Sequence, residues 1–242
     1  MEKNIEAIVD LEKLPEHIAI IMDGNRRWAK KNGLTTPQGH KEGAENLKRI
    51  AKFANEIGIK YMSVYAFSTE NWKRAKEEVD AIMKLLKTYI LSFFKSYDSN
   101  IRIKVIGRRE DLSKDLKEAI EKVEAKTKNN DGLTLNICFN YGGRDDIVTA
   151  TKKIAKKVLS GEINIEDIDE NMVSNNLYTV GSPDPDLVIR TSGEERISNF
   201  LPWQIAYSEF VFEKKYWPEY SEEDLLESIR TFQQRKRRFG GK

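Results

Sequence analysis

The stretch Met22-Asp23-Gly24-Asn25-Arg26-Arg27-Trp28 sets a carboxylate, a glycine, an amide and two guanidinium groups side by side. Arginine's planar fork takes phosphate oxygens two at a time. A glycine opening a helix lets backbone N–H groups approach an anion. A carboxylate among arginines suits Mg²⁺, which joins one or two carboxylates to substrate phosphates. Alone, Asp23-Gly24-Asn25 is equally well a turn. Three further polar clusters raise its weight: Ser68-Thr69-Glu70-Asn71-Trp72-Lys73-Arg74, Asn140-Tyr141-Gly142-Gly143-Arg144, and Thr191-Ser192-Gly193-Glu194-Glu195-Arg196-Ile197-Ser198. Each directly follows a short apolar run, as the first does. Between them they offer Arg27, Arg74, Arg144, Arg190, Arg196, the Ser198 hydroxyl and the Asp23 carboxylate. The chemistry implied is binding and activation of a diphosphate. Singly, each has a plainer reading: Gly142-Gly143 as a loop, Arg190 and Arg196 as surface ion-pair partners, His40 as a helix-start histidine.

The elements that must position these groups are read from hydrophobic periodicity. His17–Met22, Tyr61–Phe67, Ile101–Ile106, Leu133–Phe139, Asp186–Arg190 and Glu209–Phe212 are expected strands. Helices are expected over Lys41–Ile57, capped by Gly58, over Glu77–Tyr97 with a broad apolar face, and over Asp111–Lys128 and Asp145–Leu159. A last helix is expected over Glu222–Arg237, with Ser221, Glu223 and Asp224 at its start. Strands alternating with helices predict an α/β fold, a mainly parallel sheet of about six strands covered on both faces. Ligands then bind beyond the carboxyl ends of the strands, where all four clusters would meet. The 242 residues are expected to form a single domain, with an amino-terminal helix over 1–14 and a tail over 235–242.

Bulk properties exclude several classes. Lys+Arg 41 against Asp+Glu 39 gives a formal charge of +2, without the basic excess of a dedicated nucleic-acid binder. Any anion site must be a local cluster. Cys138 is the only cysteine and sits in an apolar run, as a small core residue. No signal-like segment and no run near the roughly 18 apolar residues of a spanning helix is present, so a soluble, cytoplasmic protein is expected. No zinc-type His/Cys spacing, GxxxxGK[ST] or GxGxxG occurs.

Six motifs in order, from Leu14-Pro15-Glu16-His17 to Arg237-Arg238-Phe239-Gly240-Gly241, make the chain resemble the cis-prenyltransferases, most closely the bacterial undecaprenyl diphosphate synthases. They include Gly39-His40-Lys41-Glu42-Gly43, Tyr65-Ala66-Phe67-Ser68-Thr69-Glu70-Asn71-Trp72, Asn140-Tyr141-Gly142-Gly143-Arg144, Asp186-Leu187-Val188-Ile189-Arg190-Thr191 and Trp203-Gln204-Ile205-Ala206-Tyr207-Ser208-Glu209. The resemblance implies transfer of isopentenyl diphosphate onto an allylic diphosphate, usually farnesyl diphosphate. The product would be a long-chain polyprenyl diphosphate with new cis double bonds, such as the lipid-carrier precursor of cell-wall synthesis.

By the same resemblance, Asp23 is the essential aspartate holding Mg²⁺, and Glu209 is the second metal ligand. Gly24, Asn25, Arg26, Arg27, Trp28 and His40 surround the allylic diphosphate. Ser68, Thr69, Glu70, Asn71, Trp72 and Arg74 form a loop over the reacting centre, with Asn71 as proton acceptor. Arg190, Arg196, Ile197 and Ser198 take isopentenyl diphosphate. The product would grow into an apolar tunnel near Ala66, Ile82, Leu86 and Leu133. A homodimer is implied, with the basic tail reaching the partner, and a transient membrane contact at product release is left open. Two positions depart from the family pattern: Thr36 stands where an arginine of the allylic site is usual, and Ala75 where a proline is usual. The departure at Thr36 keeps a short-chain or branching synthase as an alternative. A non-catalytic scaffold subunit is a second, although such subunits lose residues that this chain retains.

Overall fold

The computed structural model describes residues 5, 8–96 and 100–235, with the side chains of 90–96 outside that description. Six strands, β1 (His17–Ile21), β2 (Tyr61–Ser68), β3 (Arg102–Ile106), β4 (Thr134–Tyr141), β5 (Leu187–Arg190) and β6 (Glu209–Phe212), form one sheet in the order β3-β4-β2-β1-β5-β6. Every neighbouring pair is parallel. All six expected strands are therefore present. Among the described residues, seven α-helices cover the sheet: α1 (Asn25–Lys31), α2 (Thr36–Ile57), α3 (Lys76–Ser96), α4 (Lys114–Thr127), α5 (Gly143–Leu159), α6 (Glu170–Ser174) and α7 (Glu222–Gln234). The short α6 falls in the polar stretch that carried no helical period.

The strands read as continuous apolar runs because both faces are covered. Alternation still sorts their side chains. Ile18, Ile20, Leu187 and Ile189 join the larger core, whereas Ala19, Ile21 and Val188 join a second core with Cys138, Tyr141 and Phe200. Capping explains where α2 starts and stops. Thr35 and Gln38 close a capping box, Pro37 sits in the first turn, and Gly58 ends the helix at φ 100°. The same box, with Ser221 and Asp224, starts α7.

Of the expected amino-terminal helix over 1–14, Ile5 is helical and accepts from the Val9 N–H at 3.0 Å, and Leu11–Lys13 is a 3₁₀ turn capped by Asp10; residues 1–4, 6 and 7 lie outside the described residues. The tail beyond residue 235, including Arg237 to Gly241, lies outside the described residues. Among the described residues, no helix is long and apolar enough to cross a membrane.

Register sets the two ends of the molecule apart. Ile21 lies beside Tyr65 and Arg190, so Asp23, the end of β2 and Arg190 share the carboxyl edge. Connections from β1 lead to β2 on one side, while β5 lies on its other side, which places β1 at the switch point of the sheet.

Candidate active site

A cavity of about 860 Å³ opens at this switch point. The β1 end contributes Asp23 and the start of α1 contributes Asn25, Arg26, Arg27 and Lys30. Thr36 and His40 come from α2, Ser68, Asn71 and Arg74 from the segment after β2, and Arg190 and Ser198 from β5 and its loop. Groups from three of the four expected clusters thus face one space.

Asp23 is its anionic centre. Its two carboxylate oxygens accept from Arg190 Nη2 at 2.9 Å and lie 3.2 Å from Arg27 Nη2. Arg190 is only 4% exposed. It donates its other Nη to the Ser198 hydroxyl at 2.8 Å and to the Arg196 carbonyl, and its Nε is buried without a partner. The loop serving it is strained: Ser192, Ser198, Asn199 and Leu201 all hold positive φ. Left-handed non-glycine residues concentrate at functional sites, where surrounding structure over-determines them.

Local sequence explains how the first loop comes so close. Gly24 has φ 107°, and an added Cβ would lie 2.7 Å from Tyr216 Cδ1, so only glycine fits. Across from it, a Cβ on Gly43 would lie 2.2 Å from Asn25 Oδ1, so this glycine lets α1 settle onto α2.

The segment after β2 is a 3₁₀ turn, Thr69–Lys73, and it splits the expected residues by side. Ser68, Asn71 and Arg74 line the cavity; the Asn71 Oδ1 accepts from the Ser68 N–H at 3.1 Å. The others face the end of β4 and the loop after β5. Thr69 packs on Gly142, Glu70 accepts from Asn199 Nδ2 at 3.0 Å, and Trp72 donates to Asn140 Oδ1 at 2.7 Å. Thr69, Glu70 and Trp72, expected in the loop over the reacting centre, do not line this cavity and hold the turn in place. Burial alone would raise the Glu70 carboxyl, but its local hydrogen bonds hold it below the usual range.

Five further expected residues do not line this cavity. Trp28 is half-buried beside the site. Arg196 turns outward to pair with Glu194 at 2.5 Å, and Ile197 packs on the second core. Arg144 lies in the first turn of α5, directly after β4, which β2 separates from β1, and its backbone N–H bonds Asn199 Oδ1. Glu209 begins β6 beside Leu187, at the amino edge of the sheet, and its carboxylate meets Arg235 at 2.7 Å. The structure does not bring Glu209 and Asp23 together within one chain.

Two residues at the site carried no expectation from the sequence. Lys30 follows Arg26 by one helical turn, a spacing that could have revealed it. Glu78, in the first turn of α3, accepts from Arg74 Nη1 at 2.8 Å, meets His40 Nε2 at 3.4 Å and lies 3.6 Å from Arg26 Nη1. Burial, with Arg74 and Arg26 nearby, holds the His40 imidazole below its ordinary value despite its contact with Glu78.

A narrow apolar cavity of about 100 Å³ continues inward between α2 and α3, sharing Asn25, His40, Ala66 and Ile82 with the larger one. Leu47, Leu85, Leu86, Tyr89 and Ile137 line it. Ala66, Ile82 and Leu86 were expected here, whereas Leu133 is buried in the main core and Ile137 takes a lining position instead. A register irregularity in β2 spans Ala66, as bulges beside active sites do.

Among the described residues, no group of three or more His, Cys, Asp or Glu side chains could hold a metal. Asp23 alone offers a carboxylate beside three guanidinium-bearing segments, which fits a Mg²⁺ ion shared with substrate phosphates and does not fit an all-protein cage.

Known proteins resemble the chain over most of its length. The family model described as "Putative undecaprenyl diphosphate synthase" matches residues 21–240. An isoprenyl transferase of Bacillus subtilis is 51% identical over 95% of this chain and 88% of its own length. A farnesyl-diphosphate-specific ditrans,polycis-undecaprenyl-diphosphate synthase of Micrococcus luteus is 47% identical, over 96% and 94%. Among solved structures, lavandulyl diphosphate synthase from Lavandula x intermedia, in complex with dimethylallyl diphosphate, superposes with a TM-score of 0.91 at 39% identity, covering 94% of this chain and 99% of that one. A probable undecaprenyl diphosphate synthase from Campylobacter jejuni gives 0.78 at 33%, over 95% and 99%. With a family model spanning most of its length and relatives near half identity, the chain belongs to the undecaprenyl diphosphate synthase (isoprenyl transferase) family.

Proposed function

We propose that this enzyme condenses isopentenyl diphosphate onto farnesyl diphosphate, repeatedly and with cis geometry, to give a long polyprenyl diphosphate. The observation that carries this reading is a cation-lined cavity around Asp23 that continues into an apolar slot between α2 and α3. Diphosphate binds the polar part and hydrocarbon the slot. Arg26, Arg27, Arg74 and His40 hold the allylic diphosphate, while Arg190 and Ser198 hold that of isopentenyl diphosphate. Asp23 would hold Mg²⁺, which supplies charge neutralisation for the leaving diphosphate without proton transfer. As the allylic C–O bond breaks, preorganised guanidinium groups stabilise the charge gathering on the departing oxygens. A carbon–carbon bond forms to isopentenyl diphosphate and one proton is lost, to Asn71 by the resemblance. The apolar walls keep water from the reacting carbon. We further propose a homodimer working in the cytoplasm, with Glu209 acting in that assembly.

The test is incubation with farnesyl diphosphate, radiolabelled isopentenyl diphosphate and Mg²⁺, followed by chromatographic sizing of the product. A long polyprenyl chain supports the reading, and no incorporation would sink it. A second reading, a short-chain or branching synthase, draws on the likeness to lavandulyl diphosphate synthase and on Thr36, which lines the cavity. Products of ten to twenty carbons would favour it.

A further inference from the structure

We propose that the ring of Tyr65 is a further catalytic group, its face stabilising the positive charge that develops on the isopentenyl unit during condensation. This deepens, and rests on, the assignment of the cavity to two diphosphate substrates. As the allylic C–O bond breaks, its electron pair leaves with the diphosphate. The double bond of isopentenyl diphosphate supplies the pair for the new carbon–carbon bond. The carbon left electron-poor by that step is cationic until a neighbouring proton departs and restores a double bond. An aromatic face attracts such a cation, most strongly where water is excluded.

Among the described residues, Tyr65 is the only phenylalanine, tyrosine or tryptophan lining the cavity around Asp23. Phe67 is buried in the main core and Trp72 is fastened to Asn140. Ile21 stands in register between Tyr65 and Arg190, so the three side chains share one face of the sheet. That puts Tyr65 on the side where Arg190 and Ser198 would hold isopentenyl diphosphate. Its hydroxyl donates to the Tyr141 carbonyl at 3.2 Å and to the Ser198 carbonyl at 3.4 Å. One face of its ring stacks on Phe200, with centroids 4.7 Å apart and planes at 17°. Ser198 and Phe200 belong to the loop with left-handed residues, so the loop that serves Arg190 also fixes this ring. The ring's other side is left for the cavity. Burial, with Glu70 nearby, pushes the phenol above its ordinary range. The hydroxyl therefore stays protonated and is no base, which leaves the ring itself to act.

The experiment measures the single-turnover rate of the first condensation, with farnesyl diphosphate, radiolabelled isopentenyl diphosphate and Mg²⁺. Wild type is compared with Tyr65→Phe, Tyr65→Leu and variants carrying phenylalanines with one, two or three ring fluorines at position 65. Fluorine nearly keeps the ring's shape but drains electron density from its face. A ring that only packed would be indifferent to that density. Tyr65→Phe should stay within about threefold of wild type, and each added fluorine should lower the rate further, to about tenfold below Tyr65→Phe with three. Tyr65→Leu should fall by about thirtyfold, and the fluorinated set keeps the test open if that variant does not fold. Equal rates across the fluorinated set, with wild type active, overturn the proposal and make Tyr65 a packing residue. Absence of incorporation by wild type overturns the two-substrate reading itself, and this proposal with it.

Discussion

Arg190 and Asp23 divide the work of holding and using charge. A guanidinium as buried as Arg190 needs its partners, because removal of one member of a buried pair leaves an uncompensated charge. Asp23 supplies that partner and is, among the described residues, the one carboxylate lining the cavity, the group proposed to hold the metal. Asp23→Ala should therefore lose turnover and also stability, by about 2–3 kcal/mol, since the pair is half-sheltered and not fully buried. Asp23→Asn keeps an acceptor for Arg190 and should unfold near the wild-type urea midpoint, yet its turnover should drop by about a hundredfold or more. Initial rates beside urea unfolding separate the two effects. A fully active Asp23→Asn enzyme would rule out both the metal role and the charge role of this carboxylate. At the other edge of the sheet, His17 shows the contrast of a structural histidine. Its Nδ1 lies 2.6 Å from the Pro183 carbonyl and its Nε2 2.8 Å from Ser63 Oγ, and burial pushes the imidazole down to about 4. The unfolded chain therefore binds a proton first as pH falls. Stability contributed by neutral His17 is complete above about pH 6.5 and is lost progressively toward pH 4, by about 3 kcal/mol in all. Urea midpoints across that range, compared with His17→Gln, check the sign: the variant should lack this part of the acid slope.

The start of α1 can face the cavity because α2 leaves it room. Gly43 is the point of contact, with Asn25 Oδ1 where its Cβ would be. Gly43→Ala should displace α1, lowering stability by about 1–3 kcal/mol and raising KM for the allylic substrate more than it lowers kcat. Steady-state kinetics at saturating isopentenyl diphosphate would show this; a change confined to kcat would mean that α1 does not seat the allylic diphosphate. The 3₁₀ turn after β2 acts as a two-sided element. Asn71 and Arg74 face the cavity while Trp72 is fastened to Asn140 and packs edge-on to Phe67 with centroids 5.4 Å apart. Trp72 thus fixes the turn, and through it the position of Asn71.

For the molecule as a whole, the polar cavity and the apolar slot form one path from Asp23 toward the interior. Ala66 sits where they join. Ala66→Leu should shorten the product without abolishing the first condensation, read as the size of radiolabelled chains. Unchanged chain length would put the growing hydrocarbon elsewhere. Removal of Mg²⁺ with a chelator should stop incorporation, with recovery on adding the ion back, as expected for a metal brought to one carboxylate by substrate phosphates.

What the sequence by itself determined was longitudinal. Apolar runs marked all six strands within a residue or two, and the polar clusters after them marked the carboxyl edge, because parallel strands carry every loop of one kind to the same side. By that rule Glu209, at the beginning of its strand, already belonged to the far edge. The order of motifs carried the family with equal clarity. What only the tertiary structure decided was lateral and directional. The strand order β3-β4-β2-β1-β5-β6 depends on long-range burial that no local pattern encodes, and it sets the end of β4 and the start of α5, with Arg144, one strand away from β1. Within the turn after β2, the three residues per turn of a 3₁₀ helix sent Asn71 and Arg74 one way and Thr69 and Trp72 another. Glu78 is the sharpest case. In the chain it is an ordinary acidic residue of a helix's first turn, and only the packing of α1, α2 and the 3₁₀ turn around it brings three cavity donors to one carboxylate.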